Sequence, residues 1–145
     1  MSNRIDIAQI QPQALQALLG IENYLSTVTL SAELKELIKL RASMINQCAY
    51  CIEMHSKQAL VLGVDAQKIF ALSAWKESPR FEEKEQALLQ LVDEMTLIQQ
   101  NGVAESTYQA CIDHLGEQGV AEAMMQIIMI NAWNRFALAS KMQHV

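Results

Sequence analysis

Apolar side chains recur along this chain at helical spacing. After Ser31, the positions Leu34, Leu37, Ile38, Arg41 and Ile45 follow a 3.6-residue stripe, and the Ser31 hydroxyl can accept an orphan backbone N–H at its start. A helix from Ser31 through Asn46 is predicted. A shorter one over Gln11 to Leu19 precedes it, with Pro12 near its first turn and Gly20 just beyond its end. A third opens around Ala49 and runs to Leu62, where Gly63 provides the stop. Asp65 then caps a shorter helix through about Ala74, and Trp75 pins the turn leading to Ser78-Pro79.

The next predicted helix spans Phe81 to Gln99. Glu82, Glu83 and Glu85 in its first turns complement the macrodipole, and Asn101-Gly102 closes it. Glu105 to Leu115 and Glu117 to Met142 complete the set. The last is apolar on most sides, as a central helix or one buried against another subunit would be. No stretch alternates with period two long enough to make a strand. The pattern predicts an all-α fold, a bundle of about six to seven helices spanning residues 1–145 as a single domain.

Composition agrees with the pattern. Half of the 145 residues are apolar, aromatics are scarce, and Gly and Pro are few, which favours helices and allows one core. The net charge of -5 comes with no dense basic window, so neither nucleic acid nor an anionic membrane is expected as a partner. The first 20 residues lack a signal-peptide pattern, and the apolar run Val120 to Ala139 is interrupted by Glu122, Gln126, Asn131, Asn134 and Arg135. A soluble, cytoplasmic protein is expected, in which any disulfide is transient.

Candidate chemistry concentrates in "INQCAYCIEMHSK", Ile45 to Lys57, in a chain of three cysteines and three histidines. Cys48 falls at the start of the third helix, where free N–H groups and the positive dipole end stabilise a thiolate. Cys48 and Cys51 are spaced i,i+3 and Cys51 and His55 i,i+4, so the three can share one face, continued by Ala59 and Leu62 as a pocket wall. Histidine one turn below Cys51 can take its proton, and a thiol at i-3 can capture a sulfenic acid.

Two plainer readings compete, a structural pair and a zinc site. Zinc would need a fourth ligand from Cys111, His114 or His144; Cys111 and His114 fall at core positions, but none forms a second close pair. No metal or other cofactor is expected.

Adding Glu36 gives the spacing E-x11-C-x2-C-x3-H, which resembles the core motif of the AhpD-like alkylhydroperoxidase group in the carboxymuconolactone decarboxylase family. "ELIKLRASMINQCAYC", "ALSAWKESPRF" and "INAWNR" are similar to the same family, so the resemblance covers roughly Leu15 to Ala139. It implies an AhpD-like fold and a thiol-dependent peroxidase of peroxiredoxin type. Cys51 would attack the peroxide, Cys48 would resolve the sulfenic acid, and Glu36 and His55 would form the proton relay. It also implies a small hydroperoxide substrate, a dithiol or lipoyl-type reductant, and a homo-oligomer, trimeric or hexameric. Tyr50 departs from the better-known hydroperoxidases, which carry a histidine between the cysteines.

Geometry orders the relay. A continuous helix would carry Glu36 ~18 Å from Cys48, whereas a hairpin turning near Asn46 to Cys48 folds it back toward His55. The order Glu36, His55, Cys51 follows. Asn131 and Asn134, i,i+3 on an apolar helix, are expected to tie helix ends together, with Trp133 packed. Arg135 could pair with a first-turn glutamate or cross a subunit boundary. Two rival functions stand beside the peroxidase. One is a decarboxylase or lactone-processing enzyme of the wider family, using His55 and Glu36 as acid and base. The other is a non-catalytic redox sensor whose disulfide changes shape or assembly.

Overall fold

In a computed structural model, which describes residues 4–143, the chain forms eight α-helices and no strand among the described residues. The fold is all-α, as the periodicity predicts. They are α1 (Ile7–Ile10), α2 (Pro12–Leu25), α3 (Ala32–Ile45), α4 (Ala49–Val61), α5 (Ala66–Ala71), α6 (Glu83–Thr96), α7 (Ile98–Asn101) and α8 (Glu105–Ser140). A 3-10 segment, Leu72–Glu77, joins α5 to α6.

Helix α3 sits at the centre. It packs against α4, α6 and α8, and its Leu34, Leu37, Ile38, Leu40, Ala42 and Ser43 are all buried. Its start is the predicted one, with the Ser31 hydroxyl accepting from Leu34 N. Leu88, Leu89, Leu91 and Val92 of α6 meet Val120, Ala123, Ile127 and Ile130 of α8 in the same core. Outside that core, α8 leaves Ile128 and Leu138 exposed.

Polar groups inside the bundle are used as ties. Glu122 of α8 is buried and accepts from Thr29 Oγ1, Leu30 N and Gln118 Nε2, so it fastens the loop before α3 to the last helix. Burial alone would raise its pKa, but these donors outweigh it and hold the carboxyl below its ordinary value. Arg41 forms a two-bonded pair with Asp93, which also accepts from Trp75 Nε1. Trp75 therefore pins the α5–α6 connection.

Several boundaries depart from the pattern. The first predicted helix does not stop at Gly20; α2 runs five residues further, to Leu25. One glycine inside a helix costs only about 1 kcal/mol, and continuing the helix buries Leu25. The stop comes from Ser26 and Thr27, whose hydroxyls donate to the carbonyls of Asn23 and Tyr24. The helix predicted from Phe81 starts at Glu83, because Glu85 Oε2 accepts from the N–H of Glu82 in a capping box and Phe81 turns into the core. It also breaks at Leu97, next to Thr96, whose hydroxyl accepts from Asn131 Nδ2. The two late helices are one element kinked at Gly116, where φ is 69°.

Candidate active site

The site is built on the α3–α4 hairpin. Gln47 takes a left-handed conformation (φ 56°) and Cys48 N donates to Ser43 O at 3.0 Å, which closes the end of α3 and reverses the chain within three residues. Cys48 thereby becomes the N-cap of α4, its sulfur accepting from Cys51 N at 3.4 Å. Cys48 and Cys51 are joined by a disulfide, the oxidised form of the pair. Both are almost wholly buried, at 1% and 4% exposure.

The reversal brings Glu36 back alongside α4. Its Oε2 lies 3.0 Å from His55 Nδ1, and its Oε1 lies 2.5 Å from Lys39 Nζ. Glu36 is only 4% exposed. Burial would raise its pKa, but the hydrogen bonds and charges of His55 and Lys39 more than compensate and hold it below the ordinary 4.5. The carboxylate therefore stays charged in a dry position, with both oxygens engaged.

A cavity of about 460 Å³ opens beside this cluster. Cys51, His55, Tyr50 and Met54 of α4 and Lys39 of α3 form one wall. Trp133, Phe136 and Ala137 of α8 form another, and Leu15, Leu19 and Glu22 of α2 cover it. Trp133 and Phe136 meet edge to face, and Trp133 Nε1 donates to Glu22 Oε1 at 2.7 Å, fastening α2 over the cavity. Cys48 is not part of the lining, whereas Cys51 is.

The amides of α8 hold the hairpin in place. Asn46 Nδ2 donates to both Asn131 Oδ1 and Asn134 Oδ1, and Asn134 Nδ2 donates to Ser43 Oγ. Arg135 bonds Asn131 within its own helix rather than any glutamate. These residues tie helix ends together.

Thus the structure brings Glu36, Cys48, Cys51 and His55 into one cluster. It does not extend the wall to Ala59 and Leu62: Ala59 packs in the main core, and neither residue lines the cavity. Cys111 stands apart, buried and donating to Ala87 O, with burial pushing its thiol up to about 11. His114, expected in the core, is exposed, and His144 lies outside the described residues. No group of three His, Cys, Asp or Glu side chains suited to a metal occurs among the described residues.

Sequence reasoning missed Lys39 and the α2 cover. Lys39 carried a readable signal, being i,i+3 from Glu36. The cover did not, since nothing local says which part of the bundle α2 will lie on.

The carboxymuconolactone decarboxylase family model matches residues 12–94, more than half of the chain. The chain belongs to this family. The matched segment holds Glu36, Lys39, both cysteines and His55, whereas the α8 wall lies beyond it. Among curated relatives, the uncharacterised protein YdfG of Bacillus subtilis strain 168 is 33% identical over 139 residues, 96% of this chain and 95% of that one. A solved structure from Agrobacterium tumefaciens superposes with a TM-score of 0.95 at 37% identity over 99% of both chains. It is described as of unknown function and as a candidate antioxidant defence protein AhpD. The debrominase Bmp8 bound to 2,3,4-tribromopyrrole shares the family's fold alone: TM-score 0.82 at 20% identity, over 93% of this chain and 72% of that one.

Among the described residues, no helix is long and apolar enough to cross a membrane.

Proposed function

We propose that this protein is a thiol-dependent reductase of organic hydroperoxides. The observation that carries the reading is that Cys51 opens onto an apolar cavity beside His55, whose Nδ1 is engaged by Glu36 while Cys48 waits behind. In the reduced protein, His55 takes the Cys51 proton through Nε2, the ring nitrogen Glu36 leaves free.

The Cys51 thiolate attacks the O–O bond of ROOH, taking one oxygen as sulfenic acid. The leaving alkoxide receives the proton from His55 and departs as ROH. Cys48 then attacks the Cys51 sulfur, the disulfide forms, and water leaves with the Cys48 proton. An external dithiol, such as a lipoyl-type group, returns two electrons by thiol–disulfide exchange. No step calls for a metal or flavin.

The cavity suits an organic hydroperoxide, since its walls are mostly carbon and its volume lies in the range of small-molecule sites. A reducing, cytoplasmic setting belongs to the same reading, as does a trimeric or hexameric assembly supported by the exposed apolar Leu60, Val61 and Phe70. Peroxide consumption with a dithiol donor tests the chemistry. Turnover is expected in the wild type and is lost in Cys51→Ser. Undiminished turnover in that variant would refute the mechanism.

A further inference from the structure

Lys39 has no part in the sequence motif, yet its ammonium is bound to the same carboxylate that holds His55. Glu36 has two oxygens and the structure gives each a separate donor: Oε1 to Lys39 Nζ, Oε2 to His55 Nδ1. The three side chains come from two helices and meet at the edge of the cavity, with Lys39 and His55 lining it and Glu36 behind them.

We infer that Lys39 is a positioning residue of the redox site. By occupying Oε1 with a charged donor it leaves Oε2 to accept from His55 Nδ1–H, and so fixes Nε2 as the nitrogen that exchanges protons with Cys51. The inference rests on the reading of His55 as the proton carrier of the thiol pair.

The physical argument concerns a buried carboxyl with too few donors. An ionised carboxylate at 4% exposure needs partners on both oxygens, or burial favours its neutral form. Were Glu36 neutral, its proton would be donated to His55 Nδ1. The imidazole would then carry its hydrogen on Nε2 and could not serve as base there. One partner, His55, is itself titratable. Lys39 supplies the donor on the other oxygen.

The other titratable groups around the cavity do not replace it. Glu22 on α2 is bonded to Trp133 and would repel a second carboxylate. Tyr50 and Cys51 on α4 are neutral or anionic, and α8 contributes only Trp133, Phe136 and Ala137 to the lining.

The test compares Lys39→Met and Lys39→Arg with the wild type, reading the ¹⁵N shifts of the His55 ring and the pH profile of kcat/KM for a hydroperoxide. In the wild type, neutral His55 carries its hydrogen on Nδ1. In Lys39→Met, the Nε2–H tautomer is expected to appear. Its kcat/KM falls about tenfold at the acidic end of the profile and stays within about twofold at the alkaline end. Lys39→Arg, which keeps the charge, restores both. Lys39→Leu, which likewise supplies neither donor nor charge, serves should the Met variant fail to fold, and it is expected to behave like Met.

An unchanged tautomer in the charge-free variants would overturn the inference, as would a rate lowered equally at every pH. If the wild type consumes no peroxide, the proposed function fails, and the ring spectrum still decides the role of Lys39.

Discussion

Helix α3 carries two buried ion pairs on different faces. Glu36 and Arg41 are five positions apart, about 140° around the helix. Arg41 reaches Asp93 on α6 through Nε and Nη2, while Nη1 donates to Ser73 O and Trp75 Nε1 fills out the Asp93 carboxylate. Glu36 reaches His55 on α4 and Lys39 on its own helix.

The two clusters differ in what they leave unspent. Around Arg41 and Asp93 the side chains bind one another. The polar hollow of about 280 Å³ beside them is lined by carboxylates already engaged, with no thiol or histidine. Around Glu36, the His55 and Cys51 residues line a mostly apolar space. An ion pair by itself therefore marks nothing. The first locks α3 to α6, and the second orients the His55 ring through Nδ1 at the edge of the cavity.

Substitutions can break or sharpen this contrast. The largest effect is expected from Cys51→Ser, which should reduce peroxide turnover to the uncatalysed background while leaving thermal unfolding near that of the reduced wild type. Next comes Asp93→Ala, which strands the Arg41 guanidinium in a half-dry position. Urea unfolding should show a loss of about 3 kcal/mol, with activity per folded molecule unchanged. Loss of activity in the remaining folded fraction would mean that the two clusters are coupled.

Glu36→Gln should invert that result. Its rate is expected to fall about 100-fold, equivalent to roughly 2.7 kcal/mol of barrier, with a smaller change in stability. It should also flatten the pH dependence of stability. Because the folded pKa of Glu36 lies below its unfolded value, its stabilisation is fully present above the unfolded value and is lost as pH falls through the folded one. Denaturant titrations across that acidic range would show a shallower decline in Glu36→Gln than in the wild type. The smallest effect belongs to Ser31→Ala, which removes the N-cap of α3, a group bonded to neither cluster. It should cost about 1 kcal/mol and leave both the rate and its pH profile untouched.

Much of this was readable along the chain. Ser31, Asp65 and Gly63 announced helix ends because capping is a local matter of orphan N–H and C=O groups, whereas the Glu82–Glu85 capping box was read as part of the helix itself. Spacing alone put Cys48, Cys51 and His55 together, and the resemblance to the family motif added Glu36, which a short hairpin then folds back toward His55. Gly20 misled, because its helical penalty is small beside the burial of Leu25 further on. The break at Leu97 carried no Gly or Pro, and its surroundings include a long-range bond from Asn131 to Thr96. The pocket wall was misassigned to Ala59 and Leu62 because a helix face continues past the point where its neighbour changes.

By itself the sequence determined the all-α fold, the caps at Ser31 and Asp65 and the spacing of two thiols and an imidazole along one helix. These depend on interactions within a few residues of each other. Only the tertiary structure decided that Cys51 rather than Cys48 lines the cavity and that α2 and α8 supply its remaining walls. Each of those depends on how elements far apart in the chain come to rest against one another, and their side chains satisfy charge and volume only where the packed helices bring them together.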